Sequence, residues 1–400
     1  MNIVCIPYHD WRKIKKEGSR TRDAHIIHHL VQHPNVGNLL IINRPTTYTE
    51  IFLKKKKLKI TGEKIFSSRG CDLYKVEEKI YVLDYISKDF LGPILKQKSW
   101  FFNSFKDIQL KDGFKKAVAF LNLEFDVIFS QNIFSANFAL NNNLTCIFDA
   151  WDNFLLFPEN KKIEKELLKA YQDFSDNADS WITNSIKNIK FYEERYNLKE
   201  CFLIKNGVDI EIFKKKYSTP DDLKEIPSPI IGFGGKITHL FDYNLFNYVV
   251  SNHPDKNFIL VGQILDKQVF SKINKAENVF YLGDKNYEIY TSYVTNFDVG
   301  IIPYVTDHLE HGADSIKVYE YLAAGIGVLG TQGAGMAEMN KFMAIASNKE
   351  EFSAILDTVL INKNEIELPN EYSWSYKTGE VLRILEEKVR CSLQNEITIT

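Results

Sequence analysis

Four stretches in the second half of the chain carry residue types that could grip a diphosphate. Phe202-Leu203-Ile204-Lys205-Asn206-Gly207-Val208-Asp209 reads as a strand running into a tight Asn-Gly turn. Ile231-Gly232-Phe233-Gly234-Gly235-Lys236 is a strand running into a glycine pair and a cation, and Phe258–Val261 ends at Gly262-Gln263. Asp314-Ser315 opens a short helix that closes on Gly325. A diphosphate needs backbone N–H groups and positive charge without side-chain obstruction, and glycines after a strand permit that approach. Lys236 adds a mobile cation at that loop. A helix starting near Ser315 presents free N–H groups and the positive end of its dipole. Lys317 and Glu320 are three apart and share a face of it. The lysine can meet phosphate there, and the carboxylate one turn deeper can accept both hydroxyls of a ribose. Ile316, Tyr319 and Ala323 then face the core. Each piece alone has a plainer reading: a turn, an ordinary strand–helix connection, a helix-ending glycine or a surface ion pair. Their order and separation within one α/β domain outweigh those readings.

The elements that must position these residues are short apolar runs alternating with helix-length segments. The first half offers strands at Ile3–Ile6, Leu39–Ile42, Asp126–Phe129, Thr145–Phe148 and Trp181–Thr183. The second offers Ile230–Phe233, Phe258–Val261, Val279–Leu282, Asp298–Ile302 and Gly327–Leu329. Runs apolar on both faces suit parallel strands covered by helices on both sides. Helical patterns such as Arg20–Val31 and Lys161–Phe174 lie between them. The alternation predicts an α/β fold of right-handed βαβ units and doubly wound sheets. Phe213–Pro229 breaks the rhythm with a lysine run and three prolines and reads as an interdomain linker. The expected division is 1–212, a linker over 213–229, a second domain over 230–370, and a final helix within 371–400. Val76–Ile86 is read as a hairpin inserted in the first domain.

The bulk properties fit this. A chain of 400 residues usually exceeds one hydrophobic core, so two domains are expected. A composition 44% hydrophobic and 26% charged is that of a globular protein, and a net charge of -2 argues against a dedicated nucleic-acid binder. Five scattered cysteines, odd in number and never in CxxC spacing, fit neither a disulfide framework nor a zinc site. No apolar run suits a signal-peptide core or a bilayer span, so a cytoplasmic protein is expected.

The ordered set resembles the GT-B glycosyltransferases, specifically the branch of glycosyltransferase family 4 (group 1) that includes the teichuronic-acid transferase-like proteins. The resemblance covers nearly the whole chain. It is strongest at Asn206-Gly207-Val208-Asp209, Asn278–Gly283, Phe297–Pro303 and Lys317-Val318-Tyr319-Glu320-Tyr321-Leu322-Ala323-Ala324-Gly325. In the first half, Asp10-Trp11, Arg20 to Asp23 and Phe148-Asp149-Ala150-Trp151-Asp152 also match. The family implies two Rossmann-like domains facing across a cleft, acceptor mainly on the first and nucleotide sugar (UDP- or GDP-linked) mainly on the second. It implies a last helix, around Trp374–Val389, crossing back onto the first domain. Carried over by position, Gly234, Gly235 and Lys236 would line the diphosphate and Glu320 would hold the ribose. Asp314 and Ser315 would meet phosphate or sugar, and Gly262, Gln263 and the loop from Gly283 to Asn286 would border the base. The family's first Glu, eight residues before the ribose Glu, is replaced by Gly312 here, with Asp314 or Glu310 as candidate substitutes. The branch also tends to carry Asn-Pro where Asp314-Ser315 stands.

Glycosyl transfer leaves negative charge on the departing diphosphate, which needs cations and N–H groups placed beforehand. Lys236, Lys317 and the helix start suit that task without a metal or other cofactor, and no Asp-x-Asp spacing occurs. Retention of configuration is implied by the family alone; a same-face attack lets the departing phosphate take the acceptor's proton. In the first half, Asp149 and Asp152 end a strand where a base or sugar contact would sit, or cap a following turn. Gly18-Ser19-Arg20, with Arg22, could reach the diphosphate from the first domain, or Ser19 is an N-cap. His25 and His29 have metal-compatible spacing, but without a carboxylate motif nearby ordinary histidines are favoured over a metal site. The lysine run Lys54–Lys59 and the aromatic stretch Trp100–Phe105 could dock on anionic lipid, bringing a lipid-linked acceptor to the cleft. The simpler reading, a solvated loop and a buried aromatic helix, is preferred. The expected activity is transfer of a sugar to a glycan or lipid-linked acceptor in surface polysaccharide or glycolipid assembly, by a cytoplasmic protein, with peripheral contact at the inner face of the membrane as an option. The alternatives are a GT-B-fold sugar-nucleotide epimerase and a catalytically silent nucleotide-sugar-binding subunit.

Overall fold

The computed structural model describes residues 1–53, 59–306, 314–361 and 367–399. It separates into two compact units, Met1–Lys205 with Thr378–Thr400, and Asn206–Lys377. Gly312, Glu310 and Lys54 to Lys57 lie outside the described residues.

The first unit is built on β1 (Ile3–Ile6), β2 (Leu39–Ile42), β3 (Thr46–Thr47), β4 (Glu63–Ser68), β5 (Cys71–Glu77), β6 (Ile80–Ser87), β7 (Val127–Ser130), β8 (Thr145–Asp149), β9 (Ser180–Thr183) and β10 (Cys201–Leu203). Their order is β10-β9-β8-β7-β1-β2-β6-β5-β4, with β3 beside β6. From β10 to β6 the pairing is parallel, and every residue of β1, β2, β7, β8 and β9 is buried. That is why these runs are apolar on both faces. A hairpin is present as β5 and β6, antiparallel, but its first strand begins at Cys71, earlier than the Val76 expected from the sequence, and β4 extends it to a three-stranded edge.

The second unit holds β11 (Ile230–Gly234), β12 (Asn257–Val261), β13 (Val279–Tyr281), β14 (Val299–Ile302), β15 (Gly327–Thr331) and β16 (Ala344–Ala346), all parallel, in the order β13-β12-β11-β14-β15-β16. In each unit the chain winds first to one side of the initial strand and then to the other. The reversal falls at β1/β7 and at β11/β14, and crevices beyond the carboxyl ends of such strands are where doubly wound folds bind ligands.

Two strands begin one residue later than read, for one reason. Asp126 accepts from the Asn2 backbone N–H at 2.6 Å, and Asp298 accepts from that of Ile230 at 2.8 Å. Each carboxylate braces the head of a neighbouring strand instead of extending its own. The stretch 213–229 belongs to the second unit, and its Phe213 and Leu223 are fully buried. Its lysines are exposed over an apolar underside, so it packs as a covering segment. The chain passes from one unit to the other at Lys205/Asn206 and again at Lys377/Thr378, inside the Trp374–Ile399 helix. The aromatics Trp100, Phe102 and Phe105 are buried. No helix among the described residues is long and apolar enough to cross a membrane.

Candidate functional site

In the second unit the sequence-selected residues converge on the carboxyl ends of β11, β12 and β14. The Gly235 N–H donates to the Val261 carbonyl at 2.7 Å, and the Gly262 N–H to the Gly283 carbonyl at 2.9 Å. Gly235 and Gly262 both take φ of +143°. A Cβ on Gly262 would lie 1.9 Å from the Gly235 oxygen, and one on Gly235 would lie 2.0 Å from Lys317 Cε. Only glycine lets these backbones and the lysine stem approach so closely. Lys317 donates from Nζ to the Tyr304 hydroxyl at 2.8 Å and sits 5.7 Å from the Phe233 ring centroid. Its aromatic seat keeps the ammonium at the end of β14, above the glycine pair. Lys236 is half-buried on the same loop. A cavity of about 280 Å³ opens beside Tyr304, lined also by Asp242, Thr306, Thr331 and Lys349.

The Ile316–Ala323 helix carries the remaining groups. Its Glu320 is 4% exposed and accepts from the Tyr290 hydroxyl at 3.1 Å. Burial raises its pKa, against the pull of the Lys317 charge and of the Tyr287 and Tyr290 hydroxyls. The Gly234 N–H donates to the Tyr321 hydroxyl at 2.7 Å, tying the glycine loop to this helix. Nearly the whole helix is buried, Glu320 included, so the division into a core face and an open face is less clean than the three-residue spacing suggests.

At the start of that helix two neighbours differ sharply. Asp314 accepts from the Asn206 backbone N–H at 2.6 Å through one oxygen and from the Tyr319 hydroxyl at 2.8 Å through the other. Asn206 Nδ2 donates back to the Asp314 carbonyl at 2.7 Å. The Asn-Gly turn and the helix start, 108 residues apart, thus form one cluster. Ser315 occupies the N-cap position, makes no capping bond, and its Oγ is buried without a hydrogen-bond partner. A buried hydroxyl left so is costly. Gln263 donates to Asp284 at 3.0 Å, joining the loops after β12 and β13, and Gly283 faces open space.

In the first unit the candidates behave differently. Arg22 is 2% exposed and Asp149 1% exposed. Arg22 Nε and Nη2 donate to the two Asp149 oxygens at 2.9 and 3.1 Å, and Gln131 adds a third bond at 3.0 Å. Asp149 is therefore a buried, fully engaged ion-pair partner, not an accessible base, and the Arg22 guanidinium commits two of its nitrogens to it. Asp152 is half-buried. Neither aspartate caps the following turn, because Asn153 does, accepting from Leu155 N–H at 3.2 Å. Nor is Ser19 the N-cap of the Arg22–Gln32 helix: Thr21 stands there. Gly18 ends the Trp11–Glu17 helix at φ +77°, and Arg20 pairs with Glu17 at 2.7 Å. His25 is buried on its helix and His28 exposed.

Sequence reasoning missed two groups. Tyr287 and Tyr290 line Glu320, and their three-residue spacing on one helix face was the available signal. His9, just past β1, contacts Asp23 from Nδ1 at 2.9 Å, and Thr21 Oγ1 donates to the same carboxylate at 2.5 Å. Asp23 is buried, which by itself raises its pKa, but the charge and hydrogen bonds of His9 and the Thr21 bond outweigh that and hold it well below the usual carboxylate range. No spacing rule links residues 9 and 23.

No family model matches the chain. Over 142 residues it is 28% identical to the "Putative teichuronic acid biosynthesis glycosyltransferase TuaH" of Bacillus subtilis, covering 34% of this chain and 36% of that protein. The match therefore spans about a third of that relative's length. Solved structures match almost throughout. Sucrose-phosphate synthase from Thermosynechococcus elongatus has a TM-score of 0.64 at 12% identity over 100% of this chain and 99% of its own. An alpha,alpha-trehalose-phosphate synthase (UDP-forming) from Burkholderia vietnamiensis has 0.65 at 11% over 97% and 99%. Anabaena HepE in complex with UDP has 0.57 at 13% over 100% of both. At such identities the likeness concerns architecture: this chain has the GT-B fold.

Proposed function

We propose that the chain is a family 4-type glycosyltransferase that takes a nucleotide-diphosphate sugar, with UDP the favoured nucleotide, and passes the sugar to a glycan or lipid-linked acceptor in surface polysaccharide or glycolipid assembly. The observation that carries the reading is the Lys317 ammonium stem against Gly235, with the unpartnered, buried Ser315 hydroxyl at the start of the same helix. A hydroxyl, an ammonium and a helix N-terminus within one turn of one helix suit a phosphate. The UDP-forming synthase and the UDP complex among the structural neighbours support the choice of nucleotide.

In this reading Lys317, Lys236, Ser315 and the helix start stabilise the departing diphosphate, the step in which charge develops most. Glu320 accepts the ribose hydroxyls, with Tyr290 giving way or sharing. Gly262, Gln263 and Gly283 border the base. Asp314 acts by holding the helix start in place, since both its oxygens are engaged. No metal is called on, and same-face transfer with retention is adopted, the departing phosphate accepting the incoming hydroxyl's proton.

The test is direct. UDP, GDP and ADP are titrated against the chain by thermal shift and calorimetry, and labelled sugar nucleotides are then incubated with membrane extract as acceptor source. UDP binding, sugar transfer and an axial product linkage from an axial donor support the reading. Epimerised free sugar nucleotide would replace it with an epimerase, and binding without turnover with a silent subunit. No stabilisation by any nucleoside diphosphate would refute the donor site itself.

A further inference from the structure

Two segments of the first unit leave the sheet side by side with their apolar side chains outward. β3 pairs in parallel with the end of β6, Thr46 opposite Ile86 and Thr47 opposite Ser87. The Tyr48–Leu53 helix and the segment from Lys88 to the end of the Gly92–Lys96 helix therefore start from one corner. The Tyr48 and Phe90 rings lie 6.5 Å apart across it. Around that contact Phe52 is 82% exposed, Leu53 66%, Leu91 63% and Leu95 75%, with Phe90 and Ile94 more than half exposed. Single exposed leucines are ordinary, but six large apolar side chains in two adjoining short segments are not.

The corner is built to hold them there. Asp89 accepts from the Gly92 N–H at 2.8 Å and from Trp100 Nε1 at 3.0 Å, and Trp100 is itself buried. Phe90, Leu91, Ile94 and Leu95 stand exposed beside it. The acidic groups nearby are engaged: Asp89, itself exposed, in these bonds, and Glu50, buried, with Arg44 at 2.9 Å. The exposed cations of the two segments, Lys88 and Lys96, form no ion pair among the described residues, and Lys59 is exposed further along. In the sequence Leu53 leads directly into four consecutive lysines.

We infer that this corner docks on an anionic lipid bilayer, the apolar side chains entering the acyl boundary and Lys88 and Lys96 lying at headgroup level. Stable attachment without a spanning helix takes both signals, apolar insertion and basic charge, and both are present together. A second copy of the chain is disfavoured as the occupant, because a two-fold contact would set the same lysines against each other. The inference extends the proposal of a lipid-linked acceptor, but its readout is binding and stands apart from sugar transfer.

The experiment is co-sedimentation of the full chain with vesicles of phosphatidylcholine alone or mixed with phosphatidylglycerol, at rising salt. Binding is expected with the anionic vesicles, weakening as salt rises, and little with the neutral ones. Phe52→Ser with Leu95→Ser should weaken it at least about ten-fold, and Lys88→Ser with Lys96→Ser by roughly five-fold per lysine. Thermal unfolding of all variants should match the wild type, because the side chains removed are exposed. Equal partition to neutral and anionic vesicles, absence of binding to both, or wild-type binding by both variants would overturn the inference. So would a dimer in light scattering that Phe52→Ser with Leu95→Ser dissolves, which would assign the corner to a second copy. Failure of UDP to bind, with vesicle binding intact, would remove the donor reading and leave this one standing.

Discussion

Replacing Ser315 by alanine should separate stability from binding in opposite directions. A serine at an N-cap ordinarily stabilises a helix by about 1 kcal/mol through its side-chain bond to the first turn, and alanine there is usually harmful. Ser315 makes no such bond, and its Oγ is buried without a partner. An unsatisfied buried hydroxyl costs about 1–3 kcal/mol. The Ser315→Ala protein without ligand should therefore be as stable as the parent or more stable, by up to about 1 kcal/mol once the small void is allowed for. Binding should move the other way. A hydrogen bond from the hydroxyl to a charged phosphate oxygen contributes about 1.5–3 kcal/mol, so UDP affinity should fall roughly 10- to 150-fold. Urea unfolding of the second unit and calorimetric titration of UDP on the same preparations would read both. A variant destabilised by about 1 kcal/mol with unchanged UDP affinity would show that Ser315 is only a cap, and the phosphate assignment would fail with it.

Four further outcomes follow from the same geometry. Lys317→Ala should cut turnover about 10²- to 10³-fold with the circular dichroism spectrum unchanged, and Glu320→Ala should weaken donor binding; wild-type kinetics in both would reject the site. Because burial holds the Glu320 pKa above its ordinary value, donor affinity should drop as pH is lowered at a higher pH than for an exposed glutamate, and Glu320→Gln should flatten that slope. Asp149→Ala takes the carboxylate from a buried guanidinium, so it should cost about 3–5 kcal/mol, while adding Arg22→Met should recover part of the loss; additive losses in urea unfolding would contradict the ion pair. Asp23 has a depressed pKa, so its contribution is full above the unfolded value of 3.8 and is lost as pH falls below it. Asp23→Asn should therefore unfold at lower urea near neutrality yet lose less than the parent on acidification, which a pH series of unfolding curves would check.

The strands were legible because their signal is local. A run such as Phe258-Ile259-Leu260-Val261 is apolar on both faces wherever it sits, and the Gly234-Gly235 pair marks a backbone approach that no side chain tolerates. The donor residues could be chosen from order and spacing along one domain. Pairing across distance could not. Nothing in the sequence says that Asp149 belongs to Arg22, 127 residues away, so a strand-end aspartate looked as available as Asp152. Nor could Asp314 be told from Ser315 as a ligand, since the difference lies in Asn206 and Tyr319 occupying one and leaving the other. The stretch 213–229 misled because lysines and prolines dominate its composition, while Phe213 and Leu223 decide its packing. Trp100, Phe102 and Phe105 turn inward, as the preferred reading of a buried aromatic helix has it. The outward apolar corner is formed by Phe52, Leu53 and the 90–95 segment, which β3 and β6 bring together.

The last helix has a consequence for how the chain comes off the ribosome. Residues from Thr378 onward cluster with the first unit, where Asn35 donates to Glu386 at 3.0 Å and Lys388 pairs with Glu200. They are translated only after all of Asn206–Lys377. The unit begun first is thus finished last. Throughout translation of the second unit the nascent first unit lacks Val381, Leu382, Ile384 and Leu385, all buried in the finished protein, and it must wait with its packing incomplete. Folding intermediates of this kind expose apolar surface and attract chaperones. A stalled nascent chain ending at residue 377 should accordingly be more protease-sensitive in its first unit than in its second.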